Sequence, residues 1–341
     1  MSGFLQNAWY MAGWSDEIGH ELLRRQLLGE YVLLFRKADG TPAAMVDRCP
    51  HRFAPLSMGT RDGDCITCPY HGLAFDAQGH CVANPFSESL PKGATIRTFP
   101  LIERDGIVWL WPGDPAKADP ADVPDFSMLF VEGHPGPICG HMSMQANYQC
   151  GTDNLMDLSH IEFVHKGSFA GRGVIFAGTH SVKENDETLH SDWWMTDVPA
   201  PPHTLGHYDP DLRCDHWLEM RWNAPASMYL QIGACPHQGK RAEGVIAHQA
   251  HILSPANDGE THYFWATTRT GPPSEQGDAI LHALMNEAFV QEDKPVIEAA
   301  YANLCGADFW DLQPAFLGID AGGTRARRIL QKLIALEGNE P

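Results

Sequence analysis

The chain contains no uninterrupted apolar run approaching 18 residues, and its opening stretch, "MSGFLQNAWYMAGWSDEIG", has neither a basic start nor a long apolar core. A helix across a bilayer needs about 20 apolar residues and a secretory leader needs both missing parts, so neither is expected. Positive charge is also scarce. With 24 Lys and Arg against 43 Asp and Glu, the formal charge is −19, and phosphate backbones or anionic lipid would be repelled. Nucleic acid and membrane are therefore not expected partners; the acid serves solubility or offers a docking face to a basic protein. Nine cysteines, an odd number scattered along the chain, argue against a disulfide framework and fit thiols or metal ligands in a reducing cytoplasm. There is no internal repeat or low-complexity tract.

What remains is a globular composition, 43% apolar and 20% charged, ordinary for a compact fold. A length of 341 residues exceeds what a single core usually supports and predicts about two domains. From Trp9 to about Pro112, short β segments such as "YVLLFRKADGTPAAMVD", "GLAFDAQGHCV" and "GIVWLWPGD" are broken by Gly, Pro and Asp. The pieces "ADG" and "DAQG" sit between apolar runs, as hairpin turns do. The tract "WPGDPAKADPADVPDF" leaves little room for helix or central strand and marks a stiff, exposed boundary. It divides the chain into a small all-β domain, 1–115, and an α+β domain, 116–341. In the second, "GTDNLMDLSHIEFVH" reads as helix, and "LEMRWNAPASMYLQIGACP", "VIAHQAHILSP" and "THYFWATTRT" read as strands. "AILHALMNEAFVQEDKPVIEAAYANL" reads as one long helix, with Leu281, Leu284, Met285 and Ala288 at helical spacing. Gly322, Gly323 and Thr324 predict a turn and N-cap before a last helix with Ile329, Leu330, Leu333 and Ile334 on its apolar side.

One segment, "CPHRFAPLSMGTRDGDCITCPYHG", packs three cysteines and two histidines into residues 49–72. Cys65 and Cys68 form a C-x2-C that tempts a zinc reading with His51 and His71, but this leaves Cys49 unused beside His51. The more regular partition pairs Cys49-x-His51 with Cys68-x2-His71, two loops each offering one thiolate and one imidazole, 16 residues apart. Facing each other, they put both cysteines on one iron and both histidines on the other, the ligand set of a Rieske [2Fe–2S] centre. Pro50, Pro69 and Gly72 tighten the loops, and Cys65 and Cys81 become bystanders. The segment resembles the Rieske signature. A cluster of this kind moves one electron at a time, and most of the chain still follows it, so an acceptor is expected downstream.

"DNLMDLSHIEFVHKG" supplies His160 and His165, five apart and about 140° around an ideal helix. For both to hold one metal the helix must end or loosen between them. Two imidazoles and one carboxylate with open positions make the facial triad of non-haem iron oxygenases. Asp153, Asp157 and Glu162 lie nearby, and Glu292 and Asp293 lie on the long helix; spacing does not choose among them.

The order of motifs, a Rieske signature, then D-x2-H-x4-H, then a carboxylate on a late helix, resembles the oxygenase components of Rieske non-haem iron oxygenases over nearly the whole chain. It is most similar to the aromatic O-demethylases of the vanillate and dicamba type, through "NAWYMAGW", "CPHRFAPLSMG", "CPYHGLAFD", "VWLWPGDPAKADP" and "HYFWATTR". The resemblance implies an all-β Rieske domain followed by a START-like helix-grip catalytic domain, an antiparallel sheet with helices. It implies mononuclear Fe(II) on His160, His165 and Asp293, with Asn154 as a polar neighbour. Asp157 is then the bridge, accepting hydrogen bonds from His160 and from a Rieske histidine, His71 of a neighbouring subunit, in a homotrimer. Electrons would come from NAD(P)H through a separate reductase, with or without a ferredoxin.

The implied reaction uses O2 to O-demethylate a methoxylated, vanillate-like aromatic acid, giving a phenol and formaldehyde. Hydroxylation of an aryl methyl group or ring, on an aryl sulfonate or a larger polycycle, is the alternative. An electron carrier or START-like ligand-binding protein is the non-enzymatic one and would lack the second iron. For substrate contacts, His251 is the candidate to hydrogen-bond a carboxylate or phenol. Its neighbour His248, three residues away, faces the opposite side of a strand. Leu230 and Leu284 stand where the resemblance puts polar and aromatic contacts, which implies a more apolar pocket.

Overall fold

The computed structural model describes residues 3–130, 135–169, 173–185 and 188–338. The chain forms two compact units: Met1–Val123 with Ser254–Asp258 and Glu337–Pro341, and Pro124–Leu253 with Gly259–Leu336.

The first unit is built of short strands: β1 (Tyr10–Trp14), β2 (Leu23–Leu27), β3 (Glu30–Arg36), β4 (Pro42–Val46), β5 (Thr60–Asp62), β6 (Cys65–Thr67), β7 (Ala74–Phe75), β8 (Cys81–Ala83), β9 (Leu101–Arg104) and β10 (Ile107–Leu110). They form three sheets, ordered β1-β10-β9, β2-β3-β4 and β5-β6-β7-β8. Val32, Leu33, Leu34 and Phe35 of β3 are all buried, so this strand is covered on both faces and its apolar run is continuous rather than alternating. Both expected hairpin turns are present, between β3 and β4 and between β7 and β8. In the second, Gly79 has φ +81°, and a Cβ there would meet the Ile96 carbonyl oxygen at 2.1 Å, so only glycine fits. The Pro/Asp tract folds as separate 3₁₀ turns, Pro115–Lys117 and Pro120–Asp122, whose Asp114 and Asp119 side chains accept from the Ala116 and Ala121 amides.

The second unit is α+β. Its strands β11 (Ile138–Met144), β12 (Thr179–Asn185), β13 (Thr188–Pro199), β14 (Arg213–Asn223), β15 (Ser227–Pro236), β16 (Val245–Asn257) and β17 (Glu260–Thr267) make one seven-stranded sheet, ordered β11-β17-β16-β15-β14-β13-β12. Its helices are α1 (Tyr148–Met156), α2 (Ile161–Val164), α3 (Glu275–Asn286), α4 (Lys294–Ala302) and α5 (Ala321–Glu337).

Three helical expectations change in detail. The stretch read as one helix around His160 breaks at Asp157, passes through a 3₁₀ turn, Leu158–His160, and resumes as α2. The long helix holds a π segment, Glu287–Asp293, between α3 and α4. The last helix already begins at Ala321, so Gly322 and Gly323 are not the turn before it but lie in its first turn. Their role is close packing: a Cβ on Gly322 would lie 2.8 Å from the Met156 carbonyl oxygen, and one on Gly323 would lie 3.0 Å from Asp153 Oδ1.

Candidate metal centres

The two ligand loops of the first unit are conformational copies. The Cys49 amide donates to the Ala54 carbonyl and the Phe53 amide to the Cys49 carbonyl; equivalently, the Cys68 amide donates to the Leu73 carbonyl and the Gly72 amide to the Cys68 carbonyl. The residue four past each cysteine takes a left-handed turn, Phe53 at φ +62° and Gly72 at φ +72°. Cys49 and Cys68 are buried next to each other. Burial first, then the neighbouring thiol, raises the Cys49 pKa, so two thiolates here need a cation. His51 and His71 sit at the accessible tip, with ring centroids 4.5 Å apart.

Among the described residues, no three of these donors lie within 4.8 Å of one another, whereas ligands on one tetrahedral zinc would be about 3.3–4 Å apart. A single zinc therefore does not fit. A two-iron cluster, with thiolates on a buried iron and imidazoles on an outer one, does. Cys65 is half-buried and Cys81 belongs to the core, its thiol directed at the Ala83 carbonyl.

In the second unit, His160, His165 and Asp293 bring one donor atom each within 4.8 Å. The helix loosens and ends between the histidines, as two ligands on one metal require: the 3₁₀ turn closes at His160, α2 runs only from Ile161 to Val164, and His165 is its non-helical C-cap at φ −87° and ψ 43°. His160 Nδ1–H donates to the main-chain carbonyl of Asp157. His165 Nδ1–H donates to Glu292 Oε2 at 3.0 Å. These bonds fix the proton on Nδ1 of both rings and turn the lone pair of each Nε2 inward. The two Nε2 atoms lie 3.4 and 3.3 Å from Asp293 Oδ1 and Oδ2. Three acceptors thus converge in a buried spot, which only a cation or shared protons can stabilise. Burial lowers the His160 pKa; burial also pulls on His165, but Asp293 and Glu292 outweigh it and raise that pKa. The donor set fits a metal with open positions.

Asn154 Nδ2 donates to Asp293 Oδ1 at 3.3 Å. Asp157 does not offer its carboxylate to His160: Oδ1 accepts from the Ser159 amide and hydroxyl, capping the 3₁₀ turn, and only its main chain meets the ring. The other carboxylates weighed as ligands are engaged elsewhere. Asp153 pairs with Arg327, Glu162 accepts from the Gly173 amide, and Glu292 accepts from His165, the Gly167 amide and the Ser168 hydroxyl. The π segment lets the adjacent Glu292 and Asp293 reach opposite nitrogens of one imidazole ring.

His251 is buried on β16 beside this centre, close enough for the charges of Asp293, His160 and His165 to act on it. Burial holds its pKa down at about 3, so the ring is neutral. Its Nδ1 bonds the Tyr263 hydroxyl at 2.7 Å and its Nε2 bonds Gln249 Oε1 at 3.2 Å. Leu230 is buried directly across from Gln249 in the β15–β16 register, on the face of His251. Leu284 is half-buried on α3, next to Met285, whose sulfur meets Gln249. His248 turns to the other face and bonds Tyr229. Glu292 as a partner of His165, and the chain joining Tyr263, His251 and Gln249, were missed in the sequence. The "QED" tripeptide flagged the first, and nothing flagged the second.

Residues 8–100 match the family described as Rieske [2Fe-2S] domain, and residues 144–336 match the Vanillate O-demethylase oxygenase C-terminal domain. The chain is 36% identical to the oxygenase component of chloroacetanilide N-alkylformylase from Rhizorhabdus wittichii, over 98% of this chain and 97% of that one. It is 34% identical to the oxygenase component of dicamba O-demethylase from Stenotrophomonas maltophilia, over 98% and 99%. The solved structure of dicamba monooxygenase with non-haem iron and dicamba superposes with a TM-score of 0.85 at 32% identity, covering 98% of each chain. The chain belongs to the Rieske non-haem iron oxygenases and is the oxygenase component of a monooxygenase, with a Rieske [2Fe–2S] cluster and a mononuclear iron as cofactors and electrons supplied by a separate reductase.

Proposed function

We propose that the chain removes a methyl group from a methoxylated aromatic ring. Cys49, Cys68, His51 and His71 hold the cluster of the Rieske domain, 1–115, and His160, His165 and Asp293 hold the iron of the catalytic domain, 116–341. The observation that carries this reading is the convergence of His160 Nε2, His165 Nε2 and Asp293 within 4.8 Å, with outer nitrogens already engaged. An iron there supplies the activation of dioxygen. The protein's own part is positional. Glu292 and the Asp157 carbonyl keep both rings in the metal-binding tautomer, and Asn154 steadies the carboxylate. Buried Leu230, His251 and Phe289 help keep water from the reacting carbon. One oxygen atom enters the methyl carbon, and the hemiacetal collapses to a phenol and formaldehyde. The other atom leaves as water, with two electrons from NAD(P)H.

In the same reading, electrons arrive from the reductase, with or without a ferredoxin, at the cluster. They cross from the partner subunit's His71 to Asp157, whose main-chain carbonyl meets His160, within a cytoplasmic homotrimer. A second reading, loss of an alkyl carbon from an aryl nitrogen, draws support from the 36% identical N-alkylformylase component. The test is turnover of methoxyaryl compounds with a surrogate reductase and NAD(P)H. Formaldehyde released one for one with phenol is expected. A non-volatile hydroxylated product without formaldehyde would replace this reading with ring or methyl hydroxylation.

A further inference from the structure

Both ring nitrogens of His251 are used by neighbouring side chains. Burial, and Asp293 after it, keep the Tyr263 phenol protonated far above its ordinary pKa, so its O–H donates to His251 Nδ1. His251 Nε2–H then donates to Gln249 Oε1. Gln249 Nε2–H completes the run toward Thr267 Oγ1 at 3.3 Å and the Met285 sulfur at 3.7 Å. The chain has one direction, and neither the His251 ring nor the Gln249 amide nitrogen has a donor to spare. Facing it is Leu230, which offers none. The only Lys and Arg on the seven strands are Lys183, Arg213 and Arg221. The strand registers put all three on the opposite face from His251.

A carboxylate brought against Leu230, His251 and Gln249 would lose water and gain no donor or cation from these three side chains; the unpartnered Trp222 Nε1–H on this face lies two strands away, on β14. We propose that the substrate is an uncharged aromatic ether or its N-alkyl counterpart, and that the closed run Tyr263–His251–Gln249 with Leu230 excludes aromatic acids. This rests on the dealkylation reading above and narrows its substrate class away from the vanillate-like acid expected from the sequence. His251 is accordingly a positioning residue that builds a neutral wall, and not a carboxylate anchor.

The test uses the holoenzyme and shape-matched pairs, the three methoxybenzoates and the corresponding methoxybenzamides, with dissociation constants measured at pH 7.5 and formaldehyde followed with a surrogate reductase. The expected result is that the better-bound amides exceed their acids by at least about tenfold. If no amide binds better than its acid, the proposal is overturned. Tyr263→Phe keeps the ring but frees His251 Nδ1 to take a proton, so the amide-to-acid preference is expected to shrink at least about threefold. An unchanged preference would overturn the assignment of selectivity to this chain. Tighter amide binding without formaldehyde would leave the neutral site standing and remove the demethylation reading, so the two fail separately.

Discussion

At the scale of single residues, the proposed iron site depends on atoms that do not touch the metal position. Glu292 holds His165 Nδ1 at 3.0 Å and also gathers the Gly167 amide and the Ser168 hydroxyl, so one carboxylate sets both the ring and the loop that follows it. Removing such an outer partner typically weakens metal binding by about 10–100-fold. Glu292→Ala is therefore expected to lose iron to a competing chelator at a concentration lower than the parent needs by about tenfold or more, with the Rieske EPR signal unchanged. Equal chelator resistance in variant and parent would deny Glu292 this role. Spacing pointed to "QED" but left Glu292 and Asp293 undivided, and only the family resemblance singled out Asp293, because the choice rests on helical phase, and the π segment alters that phase.

At the scale of elements, legibility followed distance along the chain. The Rieske loops lie within residues 49–72, and spacing alone paired their ligands. His160 and His165 were equally visible, and the expected end of the helix between them is present, at Val164. Contacts between strands were hidden: His251 meets Tyr263 through sheet order and register, which local patterning does not encode. The same holds for Gly322 and Gly323, read as a turn when their need is close approach of α5 to the Met156–Asp157 break. Arg327 on α5 also pairs with Asp153 of α1 at 2.6 Å. Gly322→Ala puts a Cβ 2.8 Å from the Met156 carbonyl oxygen and 2.9 Å from Ser191 Oγ, and overpacking of this kind costs about 1–3 kcal/mol. A lowered urea midpoint is expected; an unchanged midpoint would mean that α5 has slack there.

At the scale of the whole molecule, buried neutral histidines set the acid limit. Burial lowers the pKa of His203 to about 3, of His216 to about 4 and of His251 to about 3. Unfolded, each takes up a proton near pH 6.5. Between pH 6.5 and about 4 the unfolded chain therefore binds more protons, and stability falls as pH falls, by up to about 1.4 kcal/mol per pH unit for each group. Asp192, raised by burial to about 6, acts in the opposite sense, as do Asp153 and His165, whose pKa values are also raised; His160, His180, His190 and His248, lowered by burial, add to the three. The urea midpoint at pH 5 is expected below that at pH 7, and a higher one would contradict the account.

Two separate iron centres with separate ligands on one chain are told apart by metal analysis of the holoprotein and of Asp293→Ala. The predicted result is about three irons per chain falling to about two, with the Rieske EPR signal intact. Retention of the third iron in the variant, or its absence from the parent, would contradict it.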